Sequence, residues 1–466
     1  MRYLKPNVEY LERDIDSRLL DWKNDTWHHA LVIVGARQVG KTTSILHFAN
    51  GNYKYVVYLN LDEADGKNFI EFVKKTPKKV DKLLNEYFTL NSIPYTNSSE
   101  TVIIFDEIQN SEIIWSLIRP IDTMLDCDLI VTGSALSETK TWFIPAGNFE
   151  TVKMHTMSFP EFLRCNGVRE LYDDYDIEKL TKEDATWFNL AFNVYCKVGG
   201  YPAAVLAFLH KTDYKKPLAQ LLEVLKKEMN NKSKFEITKE RVERLLKVII
   251  RSLLQEKKGD KNLLEHLVLY ANGREPSIKT SKAEVSALID WLAEVDVLSI
   301  YDGVNLATNT IMEGQRIYFN DVGFLNYLLE TNNVDSGNAI GVISENFVHK
   351  AFYNKDLNNI SIYFGIYNNY EFDFVLFSNE TGKNKIIEVK HKGGRSESME
   401  FAIKHNLADY YSFYMGNSTV KRDGNVSRIP IYFIDKTITE DLTKEKSSTD
   451  FDLLPPFPTT KPMDLF

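Results

Sequence analysis

The sequence predicts an α/β chain built around a parallel three-layer sheet, with further modules behind it. Three observations carry that prediction. Four short apolar runs, Ala30–Gly35, Tyr55–Leu61, Thr101–Asp106 and Asp128–Ser134, are separated by helix-like stretches. Continuous apolar runs of this length suit strands buried on both faces, and strands that alternate with helices form parallel sheets. Length adds the third: 466 residues exceed one domain at roughly 100–200 residues each.

Taken in order, Tyr10–Trp22 reads as an amphipathic helix that packs on the sheet. Past Phe159 the pattern turns helical. Phe188–His210 is one long helix broken at Gly199-Gly200-Tyr201-Pro202, and Leu218–Lys234 and Arg241–Gln255 follow. Lys282–Val295 is a helix that leads into a strand, Val297–Tyr301, and a turn at Asp302-Gly303, an order compatible with a winged helix. From Gly337 the expected elements are a helix over Ser344–Tyr353 and strands around 361–366, 371–377 and 385–390. A helix near 396–406 and a strand over Ile429–Ile434 complete the region. The tail from Thr443 carries Pro455, Pro456, Pro458 and Pro462 and reads as an extended end. The segments are therefore 1–27 (helical), 28–165 (core sheet), 166–336 (helical lid and winged-helix-like region), 337–440 (second α/β domain) and 441–466 (tail).

Composition excludes several classes. With 44% hydrophobic and 26% charged residues, global disorder, collagen and coiled coil are ruled out. No run approaches the roughly 20 apolar residues of a membrane span, and the first residues have no apolar core, so no membrane or secretory role is expected. Cys127, Cys165 and Cys196 are far apart in sequence, which suggests a reducing, cytoplasmic setting, and the histidines show no zinc spacing. The net charge of −9 argues against general nucleic-acid binding. One stretch differs: residues 211–261 hold 15 Lys and Arg against 8 Asp and Glu. It is either the solvated face of helices or a surface for phosphate or a protein partner.

The chemistry begins at Gly35-Ala36-Arg37-Gln38-Val39-Gly40-Lys41-Thr42, which matches G-x-x-x-x-G-K-[ST] between a buried strand and a helix starting near Thr43. Glycines let backbone N–H groups close around phosphate oxygens. Lys41 is placed to reach the β and γ phosphates of ATP, and Thr42 to put its hydroxyl on Mg²⁺. The run Val102–Phe105 delivers Asp106 to the carboxyl end of its strand, where open α/β sheets bind ligands. Asp106 is expected to hold Mg²⁺, and Glu107 to orient or deprotonate the attacking water. Ser134 or Thr132, closing the fourth strand, could sense the γ phosphate; a structural turn is the alternative.

These motifs, with Ser158-Phe-Pro-Glu-Phe-Leu, Val198-Gly-Gly-Tyr-Pro-Ala-Ala-Val, Tyr318-Phe-Asn-Asp-Val-Gly-Phe, Glu345-Asn-Phe-Val, Glu371-Phe-Asp-Phe-Val-Leu and Ile387-Glu-Val-Lys, resemble prokaryotic AAA+-type ATPases that join a P-loop NTPase core to a C-terminal domain of unknown function. The similarity spans about residues 28–395. It implies an ATPase with ATP and Mg²⁺ as cofactors. Such proteins often carry Gly-Arg a few residues before the Ser-Phe-Pro-Glu-Phe segment, where this chain has Gly147-Asn148. Arg119 and Arg164 are the substitutes considered, in cis or from a neighbouring subunit.

In the last region, strand alternation puts Glu371 and Asp373 on one face with Phe372 and Phe374 on the other, and places Glu388 and Lys390 on a common face. Two neighbouring strands could thus join Asp373, Glu388 and Lys390, and carboxylate oxygens suit Mg²⁺. Glu345 sits beside the apolar face of the preceding helix. The set is similar to the restriction-endonuclease-like (PD-(D/E)XK) fold. That resemblance implies Glu345, Asp373, Glu388 and Lys390 as a nuclease site, with Asp373 and Glu388 on the metal; a polar strand face with an internal ion pair is the alternative. His391, Lys392 and Arg395 follow and could meet phosphate or water. Asp321 and Gly323 carry no evident chemistry and read as a turn. The leading expectation is an ATPase whose hydrolysis moves the C-terminal domain. An ATP-regulated DNA nuclease and a slow nucleotide-controlled switch binding DNA or a protein partner, including a second copy of the chain, are the alternatives.

Overall fold

The computed structural model describes residues 9–439 apart from 77, 134–148, 233–237, 255–262, 275–279, 335, 356, 358, 380–383, 391–395, 406 and 417–418. Ser134, Gly147, Asn148, His391, Lys392, Arg395 and the tail after 440 lie outside the described residues.

The chain enters through helix α1 (Ile15–Asn24) and strand β1 (Ala30–Val34), followed by α2 (Lys41–Asn52) and β2 (Tyr55–Asn60). Helices α3 (Ala64–Lys75) and α4 (Val80–Leu90) lead to β3 (Thr101–Asp106). Helix α5 (Glu112–Met124), β4 (Asp128–Gly133) and β5 (Phe149–Lys153) complete this part. The five strands form one sheet in the order β2-β3-β4-β1-β5, and every neighbouring pair is parallel. With helices on both faces, this parallel sheet fits the α/β fold expected of a P-loop NTPase. The apolar runs bury alternate residues against two helical layers: Ile33, Ile104 and Ile130 go to one core, Val32, Phe105 and Val131 to the other. The edge strand β5 has the pattern Phe-Glu-Thr-Val-Lys with only Val152 buried, so it lacks the apolar run that marks the other four.

Next come α6 (Phe159–Cys165), α7 (Arg169–Asp174), α8 (Lys182–Val198) and α9 (Pro202–Leu209). Helices α10 (Lys215–Lys232), α11 (Lys239–Ser252), α12 (Leu263–Arg274) and α13 (Lys282–Glu294) follow. The hairpin β6 (Leu298–Asn305) and β7 (Thr310–Phe319), α14 (Val322–Thr331) and α15 (Ser336–Tyr353) lead on. The last elements are β8 (Ile360–Tyr367), β9 (Tyr370–Ser378), β10 (Asn384–Lys390), α16 (Glu397–Lys404), β11 (Asp409–Tyr414), β12 (Lys421–Asp423), β13 (Val426–Pro430) and α17 (Ile434–Thr437). They form a mixed eight-stranded sheet, β12-β13-β11-β10-β9-β8-β6-β7.

That sheet revises three expectations. The hairpin after α13 is not a free wing: β6 pairs in parallel with β8, so the sheet runs through the expected boundary at 336/337. The strand expected over Ile429–Ile434 ends at Pro430, and Ile431–Phe433 forms a 3₁₀ turn. Most consequential is a bulge in β9. Tyr363 pairs with Val375 and Gly365 with Phe372, so Asp373 and Phe374 together oppose Phe364. Simple alternation therefore fails: Phe372 joins Val375 and Ile386 in one core, whereas Phe374 joins Leu376 and Ile387 in the other.

The helix break at Gly199-Gly200, for which contact with nucleotide is the alternative reading, meets the Asp321-Gly323 turn. Gly199, at the end of α8, and Gly323, in the first turn of α14, are in backbone contact; a Cβ on Gly323 would lie 2.3 Å from Gly199 N. Asp321 caps α14 by accepting Phe324 N–H (2.9 Å), and its other oxygen accepts Gly200 N–H (2.8 Å). Only residues without side chains allow two helix ends this close.

Candidate functional site

The cleft follows from how β1 ends. After Val34 the chain turns through Gly35–Gly40, and Gly40 adopts φ 99°, a left-handed conformation that glycine takes at no steric cost, before α2 begins at Lys41. Arg13, from the segment before α1, braces this loop. Its Nη1 donates to Val39 O (2.9 Å), its Nη2 to His155 O (2.8 Å), and its Nε to Glu161 (2.8 Å). Glu161 belongs to the Ser158-Phe-Pro-Glu motif, where Ser158 and Glu161 cap α6 reciprocally. Burial alone would raise the Glu161 carboxyl, but Arg13 and two backbone N–H groups hold it down to about 2.

Beside the loop lies a cavity of about 430 Å³. Its lining combines the largely apolar Tyr10, Leu11, Pro202, Ala203, Leu206 and Val224 with the polar Arg13, Arg37, Gln38, Lys41, Thr42 and Glu107. A concave site of this volume lined by both apolar and polar groups suits a nucleotide. Lys41 Nζ donates to Gly35 O and Ala36 O, both at 2.8 Å. Burial pulls its ammonium down to about 8, against the opposing charges of Glu107 and Asp106.

The Thr42 hydroxyl donates to Asp106 Oδ2 at 2.7 Å, which brings the two expected Mg²⁺ ligands together. A hydroxyl and a carboxylate side by side are the hard oxygen donors that Mg²⁺ takes, so the residues present fit that ion. Burial raises the Asp106 carboxyl, while hydrogen bonds from Thr42 and Tyr58 pull it back. Thr132 Oγ1, fully buried on β4 beside β1, has no hydrogen-bond partner among the described residues.

Glu107 lines the cavity from the residue after β3, with φ 56° and ψ 46°. Gln38, which also lines the cavity, likewise has positive φ (63°). Left-handed backbone at non-glycine residues costs about 1 kcal/mol or more and concentrates at functional sites. The Glu107 carboxylate accepts from Gln109 Nε2 (2.5 Å) and lies 3.9 Å from Arg37 Nη1.

Several neighbours had no signal in the sequence. Tyr58 donates to Asp106 Oδ2 (2.8 Å), because β2 pairs with β3 in a register that sets Asn60 beside Asp106 and Tyr58 two residues back on the same face. Arg13 and Glu228 also depend on tertiary contacts. Neither expected substitute for the missing arginine lines the cavity. Arg164 pairs with Asp14 (2.7 Å) and Glu12 (3.5 Å), and Arg119 is exposed on α5. The basic stretch is partly neutralised within the fold: Lys226 is buried between Glu223 (2.9 Å) and Glu243 (2.8 Å), and Arg241 pairs with Glu284.

The C-terminal acids are brought near one another. Asp373 Oδ2 accepts Val389 N–H at 2.7 Å, just where the β9–β10 ladder ends at Phe374–Ile387. Burial pushes the Asp373 carboxyl up to about 7, reinforced by Glu345 and Glu388 and opposed by Arg316. Glu388, 3% exposed, accepts from Ser396 (2.7 Å), Ser398 (2.6 Å), Tyr410 and Lys390 (2.5 Å). Glu371 pairs with Arg316. Among the described residues no three His, Cys, Asp or Glu side chains are arranged to hold a metal ion. As arranged, both Glu388 oxygens are engaged by partners within the fold, and one Asp373 oxygen by a backbone N–H.

Residues 28–163 match the family profile of an AAA domain, and residues 189–335 that of a domain of unknown function (DUF8612). No curated protein matches the chain. Similar solved structures include a Walker-type ATPase of Pyrococcus abyssi, at 15% identity and TM-score 0.41 over 68% of this chain and 96% of that one. The Aeropyrum pernix ORC1 protein in complex with DNA is similar at 11% identity and TM-score 0.32, over 70% and 95%. Thermotoga maritima RuvB is similar at 13% identity and TM-score 0.26, over 61% and 88%.

Proposed function

We propose that this chain binds and hydrolyses ATP in the cleft at Gly35–Thr42 and that hydrolysis moves its helical and C-terminal regions. The AAA domain profile over residues 28–163 supports the ATPase class. The single observation that carries the reading is that Lys41, Thr42 and Glu107 line one nucleotide-sized cavity, with Asp106 directly behind Thr42, whose hydroxyl donates to it at 2.7 Å. Backbone N–H groups of the loop and Lys41 would hold the phosphates. Thr42 and Asp106 would hold Mg²⁺, which neutralises charge on the phosphate oxygens. Glu107 would orient the attacking water and take its proton. Coupling has a physical route: Pro202 lines the cavity, and two residues earlier Gly200 donates to Asp321, the cap of α14.

A second reading, an ATP-regulated DNA nuclease, is favoured by the mutual influence of Asp373, Glu345 and Glu388. The engaged state of Glu388 weighs against it. The slow switch, in which ATP sets binding to DNA, another protein or a second copy, requires the same cleft but weak turnover.

The test measures Mg²⁺-dependent phosphate release together with cleavage of plasmid and linear DNA, with and without ATP. The proposal expects phosphate release that disappears in Lys41→Ala, and intact DNA. Metal-dependent cleavage abolished by Asp373→Ala would establish the nuclease instead. ATP binding with no phosphate release would leave the switch.

A further inference from the structure

Arg37 occupies an unusual position among the cavity residues. It belongs to the phosphate loop, and its guanidinium lies between two carboxylates on different elements. Nε pairs with Glu228 Oε1 on α10 at 2.8 Å, and Nη1 lies 3.9 Å from Glu107 Oε1. Both acids are about four-fifths buried, as is Arg37 itself. Glu228 Oε2 is buried with no hydrogen-bond partner among the described residues, so this carboxylate relies on Arg37. Val224, one turn earlier on α10, lines the same cavity. The position of α10 and the environment of Glu107 therefore share one cation.

We infer that Arg37 is a positioning residue that makes Glu107 responsive to helix α10: Glu228 holds the guanidinium off Glu107, and displacement of α10 releases it onto the Glu107 carboxylate. A general base must present an accessible lone pair to water. A guanidinium docked fully on that carboxylate, as a bidentate pair, occupies both oxygens and lowers their basicity. With α10 in place, Glu228 competes with Glu107 for Arg37, and the Glu107 carboxylate keeps more of its basicity. With α10 displaced, Arg37 has Glu107 as its nearer acid and turnover stops while the phosphate loop is intact. The region that closes on the nucleotide would thus license the chemistry, not merely cover it.

This inference rests on Glu107 acting as the base in the reading above, and the two fail separately. The experiment compares kcat, KM and ADP affinity of the full chain with those of Glu228→Gln, Arg37→Gln and the double variant. Glu228→Gln is expected to lower kcat at least about fivefold with ADP affinity little changed. Adding Arg37→Gln should restore kcat to the level of Arg37→Gln alone, because the captured cation is gone. A Glu228→Gln variant that merely misfolds α10 would not be rescued by a second substitution. Equal kcat in Glu228→Gln and wild type, or losses that multiply in the double variant, overturn the inference and leave the ATPase reading standing. A wild-type chain without turnover, or one whose Glu107→Gln variant still turns over, overturns both.

Discussion

The molecule holds two clusters of acids at the ends of strands, and they differ in what surrounds them. At β3, Glu107 lines a cavity of about 430 Å³ together with Lys41, Thr42 and Arg37, and Asp106 lies buried behind Thr42. At β9 and β10, Asp373 and Glu388 turn inward: one accepts a backbone N–H, the other four side-chain donors. The residue types alone do not separate the two cases. What separates them is that Glu107, Lys41, Thr42 and Arg37 line a space where a substrate fits, whereas Glu388 spends both oxygens on partners within the fold. A saturated network stabilises and specifies structure, whereas a site keeps polar groups directed at its ligand.

The largest effect that sharpens this contrast is expected from Lys41→Ala. Removing the ammonium at the phosphate position should weaken ATP binding by about a hundredfold or more, seen by titration calorimetry, with little change in melting temperature. The mirror experiment is Glu388→Ala. It leaves Ser396, Ser398, Tyr410 and Lys390 without their shared acceptor, and should cost about 3 kcal/mol of stability in denaturant unfolding while ATP turnover per folded molecule stays near wild type. Reversed outcomes, with Lys41 structural and Glu388 essential for turnover, would break the comparison.

Asp373 offers a finer test. Its carboxyl is raised from 3.8 to about 7, so the folded state binds more protons than the unfolded state between those values, and stability falls as pH rises through that window. Asp373→Asn removes the penalty. It should stabilise by about 1–2 kcal/mol at pH 8, with the gain shrinking as pH falls from 7 toward 4 in thermal melts. The smallest expected effect is at Lys41, where the ammonium is lowered to about 8. Phosphate binding favours its protonated form, so ATP affinity should fall as pH rises above 8, by less than about tenfold per unit, with proton uptake detectable by calorimetry in two buffers.

Much of the first cluster was legible in the sequence because its logic is local. Gly35–Thr42 is one continuous segment, and an apolar run ending in Asp106-Glu107 states both the strand and its exit. Tyr58, Arg13 and Glu228 were not legible, since each reaches the site through a pairing or packing contact far away in sequence. β5 escaped notice because an edge strand with a single buried residue lacks an apolar run. In the second cluster, period-two reading failed at the bulge of Asp373 and Phe374, where one extra residue resets the faces. The glycines of Gly199-Gly200 and Val322-Gly323 were visible as motifs, but their meaning, a close approach of two helix ends, needed both partners in view. A boundary at 336/337 was read from a change in pattern, whereas the sheet is continuous from β7 to β12 because hydrogen bonding ignores such changes.

The most direct test of the account is phosphate release by Glu107→Gln at saturating ATP and Mg²⁺, with nucleotide occupancy measured on the same sample. The account predicts full occupancy with turnover at least about a hundredfold below wild type, because a positioned base is lost while the phosphate loop is untouched. Turnover within a few-fold of wild type at the same occupancy would contradict it, and would move the base away from the end of β3.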